Sequence, residues 1–165
     1  MCSLEGVRDE VGRIVVRRAG PDDGPAVHEL ACGFDGRPPA EPDEGFTARY
    51  ARIVADPAYA LLVADDLTGY ALAQDYGPGL RRAFSTGRLH DLYVAPAARR
   101  RGTGRALMAA VAAWARALPY PLVLDWQSRP DAVAFYESLG YAADRVGDQA
   151  EHPAFCLDLR HRLQP

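Results

Sequence analysis

Residues 89–107, LHDLYVAPAARRRGTGRAL, constrain the fold more than any other stretch of the chain. The apolar run from Leu89 to Val94 reads as a β-strand that Pro96 halts. An arginine-rich loop follows, Gly102 and Gly104 close it, and helical apolar spacing begins at Leu107. The start of a helix presents backbone N–H groups without intrahelical partners and the positive end of the helix dipole. Glycines let that backbone approach a ligand, and the arginines add charge. The segment is therefore expected to grip a phosphorylated ligand.

The rest of the chain sets the frame. Its 165 residues suit one domain with a sizeable core, expected over residues 13–165 behind a loose segment at residues 1–12. Hydrophobic residues make up 48% and charged residues 25%, the balance of a soluble globular protein. No apolar run is long enough to span a bilayer, and the first residues carry acids where a secretory signal would be apolar. Three cysteines without CxxC spacing fit a reducing cytoplasm and predict neither a disulfide frame nor a metal site. A net charge of −3 gives no overall drive toward nucleic acid. All 19 basic residues are arginine, which, with abundant alanine, points to a GC-rich bacterial gene.

Periodicity and punctuation predict strands at 12–18, 58–64, 68–76, 89–95, 122–126, 141–144 and 155–161. Helices are predicted at 24–32, 43–55, 102–118 and 130–139, the last stopped by Gly140. Residues 33–42 read as a Gly/Pro-rich loop, 65–67 as a tight hairpin turn and 76–87 as a mobile connection. The fold class is a mixed α/β domain, with about seven strands in a mostly antiparallel sheet and about four helices.

Two motifs carry the chemistry. One is Arg99-x-x-Gly102-x-Gly104 after Leu92-Tyr93-Val94; the other is the run from Ala132 to Tyr141, AVAFYESLGY. Their separation accommodates one helix and one strand. Together they resemble the GNAT N-acetyltransferase superfamily, the first its acyl-CoA loop and the second its AxxFYxxxGF helix. A Rossmann dinucleotide site is the competing reading, since Asp125 follows the glycines at a strand end. Leu107 occupies the third glycine position, and the unit lies late in a chain too short for the remaining sheet.

The resemblance implies acetyl-CoA as cosubstrate. Backbone amides and side chains of Arg99, Arg100, Arg101, Gly102, Thr103, Gly104, Arg105 and Ala106 would hold its pyrophosphate. The edge of Leu92, Tyr93 and Val94 would pair with pantetheine as an added strand. Phe135 and Tyr136 belong to the same cofactor wall, together with Arg129, which stands where many members carry an asparagine. Tyr136 is implied as general acid toward the leaving thiolate, and the Leu92 N–H as oxyanion donor. Amine attack also needs a base, and members carry a Glu or His at the position of His90.

Strand alternation predicts Arg88, His90 and Leu92 on one face, with Leu89, Asp91 and Tyr93 on the other. Asp91 then orients the substrate, or acts as base if the strand is bulged. Asp125 and Trp126 are candidates to line the amine pocket, with Tyr76 beside them. Asp35, Glu41, Asp43, Glu44 and Asp75 would make its mouth acidic. The expected acceptor is a primary amine of a small cationic molecule, polyamine-like or aminoglycoside-like. A protein or peptide N-acetyltransferase and a non-catalytic CoA-binding module are the alternatives. Analogy with the superfamily adds a homodimer.

Overall fold

The computed structural model describes residues 14–144 and 152–160. One six-stranded sheet holds them in the order β1 (Val16–Arg18), β2 (Tyr59–Ala64), β3 (Gly69–Pro78), β4 (Ser85–Val94), β5 (Leu122–Gln127) and β6 (Ala154–Asp158). Every neighbouring pair is antiparallel except β4 and β5. Parallel neighbours need a long crossover, and here it contains α3 (Thr103–Ala117). One parallel pair in an otherwise antiparallel sheet is not a doubly wound dinucleotide fold.

Helices cover both faces of the sheet. On one face, Leu107, Met108, Val111 and Ala115 of α3 pack on Leu62, Ala71, Leu89 and Leu124, joined by Val133 and Tyr136 of α4 (Val133–Ser138). On the other face, Val27 and Leu30 of α1 (Gly24–Phe34) and Tyr50 of α2 (Glu44–Ala55) cover Leu61, Val63 and Tyr70. Leu61 and Leu62 thus serve opposite layers, so β2 reads as a continuous apolar run. Local signals set the helix ends. Pro25 stands in the first turn of α1, and the Asp43 carboxylate caps α2 by accepting from the Phe46 N–H at 2.6 Å. Leu118, before Pro119, is already extended and ends α3.

Several expectations move. The connection expected at 76–87 is mostly strand, because β3 runs on to Pro78 and β4 starts at Ser85. The helix expected at 130–139 is a 3-10 turn over Pro130–Ala132 followed by the short α4. The strand expected at 141–144 contributes one bridge, Asp144 to Ala154. Residues 1–12, the first two residues of the predicted first strand and His161 lie outside the described residues.

The most consequential correction concerns β4. Leu72 pairs with Asp91 and Ala73 with Leu89, which leaves His90 without a partner on β3. This is a β-bulge, and it resets the alternation. Leu89, Leu92 and Val94 all pack into the α3/α4 layer, whereas Tyr93 packs into the α1/α2 layer. Arg88, His90 and Leu92 therefore do not share a face.

Candidate active site

The parallel pairing of β4 with β5 ends at Arg88 and Asp125. Beyond that point β4 continues to Val94 and β5 to Gln127 without pairing to each other. The two strands part, and a cleft opens between them. Leu89, His90, Asp91 and Leu92 line it from β4, and Trp126 and Gln127 from β5. Ser128, Arg129, Ala132 and Tyr136 complete one wall, and Phe34 at the end of α1 stands at the other. The β4 segment along this gap has no strand on its β5 side, which leaves room for an extended ligand to add there.

The bulge brings His90 and Asp91 into the same cleft. His90 Nε2 lies 3.0 Å from Gln74 Oε1. An amide oxygen only accepts, so Nε2 carries the hydrogen and Nδ1 keeps the lone pair. Partial burial pulls the imidazole below its ordinary pKa, partly opposed by the Asp91 charge. Burial acts on Asp91 in the reverse sense and raises it, against a hydrogen bond from Tyr70 that lowers it. That bond runs from the Tyr70 hydroxyl to Oδ2 at 3.0 Å.

Tyr136 lines the same cleft. It is 6% exposed, and its ring packs among Trp126, Phe135 and Phe155 at centroid distances of 5.3, 5.0 and 5.1 Å. Burial pushes the phenol well above its ordinary range, so it holds its proton at neutral pH. The sequence fixes its backbone locally. Gly140, at φ +91°, lets its own N–H reach Glu137 O at 2.9 Å and the Tyr141 N–H reach Tyr136 O at 3.2 Å. This Schellman cap locks the turn that carries Tyr136.

The arginine-rich loop has the features of a loop that could hold an anion. Arg100 and Gly102 both take positive φ, +62° and +93°, the left-handed kinks from which anion-binding loops are commonly built. No side chain caps the start of α3. Arg99 is committed locally: its Nε donates to Val94 O at 3.0 Å, and its guanidinium lies over the Tyr93 ring. Arg100, Arg101 and Arg105 are exposed, while Thr103 is buried. These uncapped amides, the exposed guanidiniums and the open β4 edge fit a long diphosphate-bearing ligand.

Other predicted site residues fall elsewhere. Asp125 is on the cleft's flank, in a 3.6 Å ion pair with Arg88, and Tyr76 is exposed on β3; neither lines the cleft. Trp126 does line it, but is 2% exposed in an aromatic stack with Phe155, so its bulk is core. Asp35 pairs with Arg37, Asp43 caps α2, and Asp75 Oδ1 accepts from the Gly77 N–H. Sequence reasoning missed Phe34, Gln74 and Tyr70, which reach the site only through sheet register and helix packing. Arg129 lines the cleft, and its Nη1 donates to Phe34 O at 3.4 Å. Among the described residues no cluster suited to a metal ion occurs, and no helix is long and apolar enough to cross a membrane.

Comparison with known proteins agrees with this geometry. The acetyltransferase (GNAT) family model matches residues 25–141. A candidate acetyltransferase from Agrobacterium tumefaciens str. C58 superposes with a TM-score of 0.68 at 28% identity, over 81% of this chain and 96% of that one. Another from Arthrobacter sp. FB24 gives 0.68 at 27% identity, over 85% and 92%. A third, from Salmonella typhimurium and solved with acetyl-CoA, gives 0.66 at 22% identity over 92% and 97%, a likeness of fold. No curated protein matches the chain in sequence. With the family model spanning most of the domain and the cleft built as described, the chain belongs to the GNAT family of acetyltransferases, enzymes that use acetyl-CoA as cosubstrate.

Proposed function

We propose that the protein acetylates a primary amine of a small cationic molecule, the amine attacking directly. When bound, acetyl-CoA supplies an electrophilic thioester carbonyl and a sulfur that leaves with the electrons of the broken bond. One observation carries the reading. The bulge at His90 sets an imidazole and a carboxylate together on a cleft that Tyr136 also lines.

Position divides the work among the residues. The Leu92–Val94 edge takes pantetheine as an added strand, and the amides from Arg100 to Ala106 hold the pyrophosphate. Arg100, Arg101 and Arg105 supply charge around it, with Arg99 bracing the loop on Val94 and Tyr93. An ammonium of pKa near 10 cannot attack, so Nδ1 of His90 takes a proton from it, directly or through water, and Asp91 holds the cation in place. The Leu92 N–H donates to the carbonyl oxygen as that oxygen gains charge.

Tyr136 Oη donates to the sulfur. A phenol held above its usual 10 is a weaker acid than a thiol near 8.5. Oη therefore stabilises the leaving sulfur by a hydrogen bond, and the proton released by the amine ends on the thiol through solvent. The Arg129 to Phe34 contact crosses one end of the cleft, which favours a small acceptor over an extended peptide. A module that only sensed CoA would have no use for His90 and Tyr136 on one cleft.

The test is thiol release from acetyl-CoA with diamines, polyamines, aminoglycosides and short peptides, on wild type and Tyr136→Phe. Small cationic amines should turn over, and the variant should lose about a hundredfold in kcat while still binding CoA. Wild-type turnover in the variant removes Tyr136 from the mechanism, and activity on peptides alone replaces the small-amine reading.

A further inference from the structure

Tyr70 lies inside the sheet's α1/α2 layer, 2% exposed, and does not itself line the cleft. Its hydroxyl nevertheless donates to Asp91 Oδ2 at 3.0 Å. The contact is diagonal across the sheet, since Tyr70 is in register with Tyr93 and Asp91 with Leu72. It exists because Asp91, two residues before Tyr93, shares its face, and the register sets Tyr93 opposite Tyr70. Burial and the adjacent carboxylate both push the phenol upward, so it donates and does not ionise. One carboxylate oxygen of Asp91 is thereby committed to the interior.

The other oxygen, Oδ1, has no hydrogen bond or ion pair among the described residues, although Asp91 lines the cleft. The charged and titratable groups around it are His90 on the same strand, Asp35 at the end of α1, Tyr93 beside Tyr70, and Arg129 across the cleft. A half-buried carboxylate with one internal donor and no cation of its own lacks a positive partner.

We propose that Tyr70 is a positioning residue for the acceptor amine: by holding Oδ2, it leaves Oδ1 as the single oxygen that receives an ammonium beside His90. The inference rests on the amine-acetylation reading and adds to it a residue on β3 that never touches substrate. It makes acceptor affinity depend on a hydroxyl in the core. Removing that hydroxyl leaves the buried carboxylate with no internal donor. Asp91 then rotates freely and takes up a proton more readily.

The experiment compares wild type, Tyr70→Phe, Asp91→Asn and the double variant in steady-state acetylation of the best amine across pH. Tyr70→Phe keeps the ring in its packing, so the protein should fold and the KM for acetyl-CoA should stay near wild type. The KM for the amine should rise about tenfold, kcat should change little, and the pH below which the amine KM climbs should move upward. In the Asp91→Asn background, Tyr70→Phe should add no further loss. In parallel, carbon NMR of the Asp91 carboxyl in the free enzyme should show its titration midpoint higher in Tyr70→Phe. An unmoved midpoint, an unchanged amine KM, or additive losses in the double variant would overturn the proposal alone. Absence of wild-type turnover with every amine would overturn the acetylation reading, and the proposal with it.

Discussion

The backbone of Gly104, in the first turn of α3, lies against the ring of Phe135. A Cβ at Gly104 would stand 3.1 Å from both Cε2 and Cζ of that ring. The glycine of the arginine-rich loop is thus a packing glycine, whatever it does for a ligand. It lets the start of α3 close on α4, the helix that carries Tyr136.

Gly104→Val should therefore damage two things together. Overpacking against Phe135 costs about 1–3 kcal/mol, and the displaced ring moves Tyr136. Thermal denaturation should show the loss of stability, and calorimetry with CoA a weakened affinity. A variant with wild-type stability and only weakened CoA binding would show that Phe135 yields freely.

Gly102→Ala separates ligand binding from packing. A Cβ at Gly102 meets only Ile14 Cδ1, at 3.7 Å, but the φ of +93° is costly for any side chain. The loop should relax away from its anion-binding shape, so CoA affinity should fall while Tyr136 and its aromatic neighbours stay in place. The near-ultraviolet circular dichroism of the variant should match wild type, and unchanged CoA affinity would remove the loop from the binding site.

His90 makes activity pH-dependent with a definite sign. Burial lowers its pKa below the ordinary histidine value of about 6.5, and in the proposed mechanism the neutral ring is the base. In wild type, kcat/KM should fall as pH drops through a midpoint below that value. His90→Gln should abolish this limb and lower kcat/KM about a hundredfold at pH 7. A persistent acid limb in the variant would assign the base elsewhere, with Asp91 next in line.

Stability has its own pH signature away from the cleft. The Arg17 guanidinium holds Asp23 below the usual carboxylate range through Nη1–Oδ2 and Nη2–Oδ1 contacts of 2.6 and 2.9 Å, against the cost of burial. The Gly20 N–H adds a bond to Oδ2 at 2.7 Å. A carboxylate depressed in the folded state stabilises above its unfolded pKa of about 3.9, and that contribution is lost as pH falls through the folded value. Asp23→Asn should lower Tm by a few degrees at pH 7, and the gap should close as pH drops below about 4. A gap that is constant with pH would mean that charge plays no part.

Much of the site was legible because its signals are local. The glycines and arginines after Val94, the run FYESLGY and the capping Gly140 act within one or two turns of their own backbone. The strand, loop and helix at 89–107 and the cap behind Tyr136 duly appear. Asp125 and Tyr76 stayed out of the cleft for a reason no local pattern carries. Whether a strand residue faces a ligand or solvent depends on where β4 and β5 part, just past the pairing of Arg88 with Asp125.

The amino-acid order by itself determined most of the element types, the strand–loop–helix at 89–107 and the family, because each follows from spacing, backbone freedom and charge over short range. The tertiary structure alone decided that His90 and Asp91 share one cleft and that Tyr70 reaches Asp91. The first comes from a bulge and the second from strand register, and both are defined only against a partner strand. An extra residue on β4 becomes visible when β3 lies beside it with one residue too few.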